Sequence, residues 1–274
     1  VKYFAATILV FNPLKRFMGI DKVHSGFVGG ASISPEVVRF FRVIGVPLYQ
    51  VYGMTESSGL AFFQNADKTR VGAAGVAAPG LEYRIAEDGE LLIRHPSVFL
   101  GYLDNEKATN ETVIDGWLHT GDVIEQLDNG EIAIVDRKKS IIITSGGKNI
   151  TPSEIENALK DSIYISEAIV VGEGRNFLGA LLQIDYDTVG KWAQAQGLAY
   201  TTFSHLSRME PVRELISKEV QRVNDAFARV ENIRKFVLLK KELDHDDGEM
   251  TATQKVRRNI IETKFAAEMA EIYG

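Results

Sequence analysis

The densest grouping of reactive side chains in this chain is Gln50-Val51-Tyr52-Gly53-Met54-Thr55-Glu56. An aromatic ring can stack on a flat base, a hydroxyl can donate to a phosphate oxygen, and a carboxylate can hold a hard cation such as Mg2+. Together, at the carboxyl end of a strand-like run, they suit a nucleotide. The same residues also read as plain structure, with Tyr52 a core aromatic of a strand and Thr55 the cap of a turn.

Four further stretches carry candidate chemistry. Gly29-Gly30-Ala31-Ser32 is either a turn or a place where a flat ligand lies on backbone with no Cβ in the way. Gly116-Trp117-Leu118-His119-Thr120-Gly121-Asp122 ends in a carboxylate that could simply begin a hairpin, or could accept from both hydroxyls of a ribose. Asp136-Arg137-Lys138-Lys139-Ser140 runs through a β-rich segment into Ser145-Gly146-Gly147-Lys148, a strand–loop junction. Gly248-Glu249-Met250-Thr251 leads to Lys255-Val256-Arg257-Arg258. Lys255 there is either a solvated helix start or a cation able to offset charge that develops between an attacking carboxylate and a phosphate.

These residues need a scaffold. Residues 23–28 read as a short strand; Ser34 then caps a helix with Pro35 at its first position, Val37, Val38, Phe40, Phe41 and Ile44 recur at helical spacing, and residues 47–52 make the next strand. Glycines thus stand at the carboxyl end of the first strand, where open α/β sheets place ligands. Residues 72–135 change to short antiparallel strands, with Asp88-Gly89 and Asn129-Gly130 as type I′ hairpin signals. Thr151-Pro152-Ser153-Glu154 reads as a capping box. Strands over 168–171, 179–184 and 233–239 and helices over 187–197, 211–227 and 256–273 complete a second α+β module. The fold class is therefore α/β with an antiparallel β subdomain, followed by a small α+β domain.

Composition narrows the options. The length suits about two domains and a sizeable core. A net charge of −6 argues against nucleic acid as a partner. No apolar run approaches the ~18 residues that span a bilayer. The absence of cysteine removes disulfides, thiol nucleophiles and thiolate metal sites, and suits a reducing compartment. The five histidines show no zinc-ligand spacing, and neither a G-x-S-x-G elbow nor a G-x-x-x-x-G-K-[ST] loop occurs.

The order and spacing of G-G-A-S, Q-V-Y-G-M-T-E-S, G-W-L-H-T-G-D, D-R-K-K-S-I-I-I-T-S-G-G-K-N-I and T-A-T-Q-K-V-R-R resemble the adenylate-forming superfamily of acyl-CoA synthetases, luciferases and peptide-synthetase adenylation domains. Within it the chain is most similar to the C-terminal portion of long-chain fatty-acid–CoA ligases, which share the helical segment 187–233 and the ending at residues 247–258. The resemblance implies ATP, Mg2+ and coenzyme A as cofactor and co-substrates, a fatty acid as substrate, and a cytoplasmic enzyme whose acyl substrate suits peripheral membrane contact. It implies that Gly30, Ala31 and Ser32 lie along the adenine and acyl-adenylate. Tyr52 would stack on adenine, with Gln50, Val51, Gly53 and Met54 lining that pocket. Thr55 would touch the α-phosphate, Glu56 hold Mg2+, Asp122 grip the ribose with help from Arg137, and Lys255 catalyse adenylation. Lys139 matches a hinge, and Gly146, Gly147 and Lys148 match a loop that enters the site for thioester formation.

On this resemblance residues 1–138 are the end of a large adenylation domain, with an α/β unit over 1–70 and a β subdomain over 71–138, and residues 139–274 are a mobile lid. A phosphate loop of the type S-G-T-T-G-x-P-K is absent, so the chain is expected to be part of a longer enzyme and inactive alone. Ser140 stands where many relatives carry an acid. Two alternatives stay open: an enzyme that loads a carrier protein, and a truncated binding module.

Overall fold

In the computed structural model, which describes residues 2–31, 33–65, 69–252 and 255–274, the chain falls into two units, Val1–Lys139 and Ser140–Gly274. The first opens with helices α1 (Lys2–Ala6) and α2 (Asn12–Phe17), joined by a π-helical turn over Thr7–Phe11. The sequence reading missed this helical run. Pro13 cannot donate a helical N–H, and the wider i→i+5 turn directly before it absorbs the mismatch.

Strands β1 (Gly26–Val28) and β2 (Leu48–Tyr52) are parallel, with helix α3 (Pro35–Val43) between them. As expected, Ser34 caps α3, its hydroxyl accepting from the Glu36 N–H at 3.2 Å; such a cap contributes about 1 kcal/mol. Strands β3 (Phe62–Phe63) and β4 (Val76–Ala77) extend this sheet in antiparallel fashion. A second, five-stranded sheet holds β5 (Glu82–Ile85), β6 (Glu90–Arg94), β7 (Val113–Ile114), β8 (Trp117–Gln126) and β9 (Ile132–Arg137), with helix α4 (Glu106–Thr112) before β7. Ala61 and Phe62 from the first sheet and Leu91, Ile93, Leu118, Ile124 and Ile132 from the second form one buried core. That shared core brings the end of β2 beside β8.

The hairpins correct the turn reading. Gly89 and Gly130 have φ of 84° and 83°, but Asp88 and Asn129 do not share the positive φ a type I′ turn requires. Each turn is instead closed by an N–H from the glycine to the residue three before it, Ala86 at 2.9 Å and Leu127 at 3.0 Å, the type I turn with a following left-handed glycine. The type I′ geometry occurs at Asp115-Gly116, both with positive φ, between Ile114 and its partner Trp117.

The second unit has a short hairpin of β10 (Ile142–Ile143) and β11 (Asn149–Ile150), then helix α5 (Pro152–Lys160). Proline stands at the first turn as expected, but the Thr151 side chain makes no cap hydrogen bond, so the capping box does not form. Strands β12 (Ile165–Val171), β13 (Leu178–Ile184) and β14 (Ile233–Leu238) build a three-stranded sheet, antiparallel then parallel. Every residue of the central β13 is buried, the mark of a strand covered on both faces. One face packs on α5, α6 (Tyr186–Ala195), α7 (Phe203–Ser207) and α8 (Glu210–Asn224) through Ala168, Val170, Ala180 and Leu182. The other face, with Ile169, Val171, Leu181 and Val237, packs on α9 (Arg258–Lys264) and α10 (Ala266–Tyr273). These two helices replace the single expected one. The chain turns at Phe265, which lets Ile261, Phe265 and Ile272 reach one core.

Candidate active site

β1 and β2 run side by side with Val28 opposite Gln50, so residues 29–31 and 53–56 emerge together at one sheet edge. Val51 packs against Gly29, where a Cβ would lie 2.6 Å from the Val51 carbonyl oxygen. At Gly53 a Cβ would sit 1.4 Å from the Gly59 carbonyl oxygen, so only glycine fits between Tyr52 and Met54. Gly30 and Ala31 are exposed beside this edge; Ser32 lies outside the described residues. The Gln50 side-chain oxygen accepts from the Gly72 N–H at 3.0 Å. Met54 is half-buried against the shared core. Thr55 opens a 3-10 turn, Thr55–Ser57, with its side chain exposed. Glu56 follows it, and one carboxylate oxygen accepts from the Tyr102 hydroxyl at 2.8 Å.

Asp122 comes to this edge from the other sheet. Residues 119–123 of β8 carry extra length opposite residues 90–92 of β6, a bulge in the ladder. Asp122 follows Leu118 and Thr120 on the buried face. Its carboxylate, in a residue 4% exposed, accepts from the Tyr52 hydroxyl at 2.5 Å and pairs with Arg137 Nε at 2.9 Å. Arg137 is its cross-strand partner on β9 and is more than half exposed. Burial, reinforced by the Asp122 charge, pushes the Tyr52 phenol well above its ordinary value, so it stays a protonated donor. The cluster is a buried carboxylate held by one aromatic donor and one cation, beside an aromatic face.

Behind it lies Glu90, a buried carboxylate on β6. It accepts from the Gly121 N–H at 2.9 Å and from Lys138 Nζ at 3.2 Å. Lys138 also pairs with Asp88, whose hydrogen bond raises the ammonium above its ordinary value. The next residue, Lys139, is exposed and ends the first unit.

On the second unit, residues 144–148 form a tight loop. Gly147 donates to the Thr144 carbonyl at 2.8 Å, and Ser145 donates to the Arg175 carbonyl at 2.9 Å. Gly146, Gly147 and Lys148 are exposed. Lys255 stands on a hairpin closed by a Met250–Val256 bridge, with the Thr251 N–H on the Lys255 carbonyl at 2.8 Å. Both feet of this hairpin rest on buried carboxylates. Glu249, almost fully buried, accepts from the Asp244 N–H at 3.1 Å and pairs with Lys241 at 2.9 Å and Lys264 at 3.2 Å. Arg258 pairs with Glu156 and donates to the Val170 carbonyl at 2.9 Å.

The family model for the AMP-binding enzyme matches residues 8–103, and that for the AMP-binding enzyme C-terminal domain matches residues 139–274. The chain belongs to the AMP-binding, adenylate-forming family. It is 37% identical over 267 residues to a long-chain-fatty-acid–CoA ligase of Mycobacterium bovis, across 97% of this chain and 44% of that one. It is 32% identical over 298 residues to a long-chain-fatty-acid–CoA ligase of Mus musculus, across all of this chain and 44% of that one. The chain thus spans less than half the length of these relatives. Its fold matches the adenylation domain of a carboxylate reductase from Mycobacterium chelonae, with a TM-score of 0.75, 21% identity, and coverage of 90% of this chain and 38% of that one. The O-succinylbenzoate coenzyme A synthetase of Bacillus subtilis with AMP gives 0.63 at 24% identity, over 85% of this chain and 44% of that one.

The AMP-binding chain therefore brings Gly30, Ala31, Gln50 to Glu56, Asp122 and Arg137 to one edge of its first unit. Lys148 and Lys255 stand on separate loops of its second unit. Sequence reasoning missed Tyr102, Glu90, Glu249 and the Glu156–Arg258 pair. The glutamate after both Asp88-Gly89 and Asn129-Gly130 was a usable signal for Glu90, since Glu131 holds the same place and is also buried.

Proposed function

We propose that the protein containing this chain converts a long-chain fatty acid to its acyl-AMP with ATP, then passes the acyl group to coenzyme A. The observation that carries this reading is the Tyr52–Asp122–Arg137 cluster at the carboxyl edge of β1 and β2, in a chain akin to fatty-acid–CoA ligases along almost its whole length. Tyr52 offers its ring to adenine, with Gly30, Ala31, Gln50, Val51, Gly53 and Met54 around it. Asp122 accepts the ribose hydroxyls, a role that asks the Tyr52 hydroxyl to share its acceptor. Arg137 pairs with that carboxylate at 2.9 Å and offsets its charge.

In the first step a fatty carboxylate oxygen attacks the α-phosphorus and the bond to the β-phosphate oxygen breaks, releasing pyrophosphate. Two anions must meet, so positive charge is needed at the reacting atoms. Thr55 donates to the α-phosphate and Lys255 supplies one cation. Glu56 fits as a Mg2+ ligand: it is a hard oxygen donor with one oxygen tied to Tyr102, and Mg2+ on a nucleotide takes only one or two carboxylates beside the phosphates. The ion would neutralise phosphate charge. In the second step the thiol loses its proton, its sulfur attacks the acyl carbon, and AMP leaves. Lys255 has no task there, and the loop of Gly146, Gly147 and Lys148 takes its place by rotation about Lys139, a hinge exchange of known kind.

The test gives the full-length polypeptide palmitate and ATP with either coenzyme A or a phosphopantetheinylated carrier protein. Acyl-CoA is the expected product; acylation of the carrier alone, or no pyrophosphate release, sinks the reading. The 274-residue chain by itself is expected to release no pyrophosphate, and turnover by it at an ordinary rate would sink that part.

A further inference from the structure

Glu56 is fastened from outside its own turn, by the segment that follows β6. The Phe99 N–H donates to the Glu56 carbonyl at 2.8 Å. The Ser97 hydroxyl donates to the Ser57 carbonyl at 3.1 Å, and the Ser58 hydroxyl donates to the Ser97 carbonyl at 2.6 Å. These bonds fix the backbone of the turn and leave the Glu56 side chain to be set separately. Tyr102 sets it, its hydroxyl donating to one carboxylate oxygen at 2.8 Å. Among the described residues no other side chain bonds that carboxylate.

Tyr102 is itself held in place. Its N–H donates to the Thr109 hydroxyl at 2.9 Å, and its ring meets Phe99 edge to face with 4.8 Å between centroids. Phe99 in turn packs on the buried core of the first unit. Gly101 admits this course of the chain: its φ is 148°, and a Cβ there would lie 2.7 Å from the Thr109 methyl. The bond from Tyr102 to Glu56 is therefore built from several sides, yet nothing in the two-step scheme gives it a task.

We propose that Tyr102 is a positioning residue that makes Glu56 a one-oxygen ligand and thereby selects Mg2+ over Ca2+. This rests on the reading of Glu56 as a Mg2+ ligand. Mg2+ demands a small, near-octahedral shell, which the two oxygens of one carboxylate are too close together to share. Ca2+ takes a larger and looser shell, with carboxylates gripping through one oxygen or both. An oxygen that already accepts from Tyr102 is the weaker half of a two-oxygen grip. The bond thus penalises Ca2+ and leaves the Mg2+ arrangement as it is.

Metal-dependent nucleotide binding tests this without turnover. The full-length polypeptide, without fatty acid, is titrated with ATP by calorimetry at fixed Mg2+ or fixed Ca2+. The unaltered protein should bind ATP more tightly with Mg2+. Tyr102→Phe keeps the ring against Phe99 and removes the hydroxyl, and the ratio of the two affinities should move about fivefold toward Ca2+, the effect of one hydrogen bond. A general loosening of the fold would weaken binding with both metals alike and leave the ratio where it was. An unchanged ratio in Tyr102→Phe, or an unaltered protein that binds equally with either metal, overturns the assignment. The metal reading is judged separately by Glu56→Gln. If that variant keeps the Mg2+ dependence of ATP binding, Glu56 is not the ligand and both readings fall. If it loses the dependence while Tyr102→Phe keeps the ratio, only the role of Tyr102 falls.

Discussion

The two units hold their candidate functional groups in opposite ways. In the first, Tyr52, Asp122 and Arg137 are members of strands, and ladder register decides who meets whom: Asp122 faces Arg137 because β8 and β9 pair that way. In the second, Lys148 and Lys255 stand exposed on loops whose bases are fastened inside, through Arg175, Glu249 and Glu156. Groups that hold a ligand gain from rigidity, since preorganisation lowers the cost of binding. On the proposed two-step scheme, groups that serve one step must leave for the other, and a loop with a fixed base can travel as a body.

Four variants of the full-length protein break or sharpen this contrast. Lys255→Ala should have the largest effect, lowering pyrophosphate release on the order of 10²–10³-fold. Transfer from supplied acyl-AMP to coenzyme A should stay within about threefold; equal loss in both steps would make Lys255 a structural residue. Asp122→Asn removes the charge that Tyr52 and Arg137 share, and should weaken nucleotide binding about 10–100-fold. Stability should change little, because Arg137 is already half in water. Lys139→Pro fixes φ at the proposed hinge and should slow the two half-reactions by factors that differ several-fold. Identical factors would reduce this position to a plain linker.

Glu249→Gln is the smallest and concerns pH. Burial opposes the Glu249 charge, but Lys241, the Asp244 N–H and Lys264 outweigh it and hold the carboxyl below its ordinary value of 4.5. The unfolded chain then takes up the proton first. The stability Glu249 contributes is full above about pH 4.5 and is lost as pH falls through the lower folded value. The variant should cost about 1–3 kcal/mol at neutral pH and flatten the acid limb of a thermal-melt series. An acid limb identical to that of the unaltered chain would show that Glu249 does not titrate with folding.

Much of the fold could be read from local pattern. Ser34-Pro35 announces α3, and the apolar residues of 168–171 and 179–182 announce strands. Reading fell short where distance in sequence decides. Tyr102 meets Glu56 across 46 positions, and Arg258 meets Glu156 across 102; no spacing rule connects them. The turns failed for another reason. Asp88-Gly89 and Asp115-Gly116 are the same dipeptide, yet only the second has both residues at positive φ. The flanking strands choose the turn, and a dipeptide offers both. The bend at Phe265 lacks glycine or proline, so only the packing of Ile261 and Ile272 reveals it.

Glu90 has a consequence beyond its own hydrogen bonds. One of its carboxylate oxygens secures the Gly121 amide, next to Asp122, and the other secures Lys138, next to Lys139. On the proposed roles of Asp122 as nucleotide seat and Lys139 as hinge, seat and axle share a single bolt. A lineage of such chains could not retune how freely residue 139 turns through this glutamate and leave the nucleotide end as it was. Adjustments to swing and to grip would be inherited as one trait.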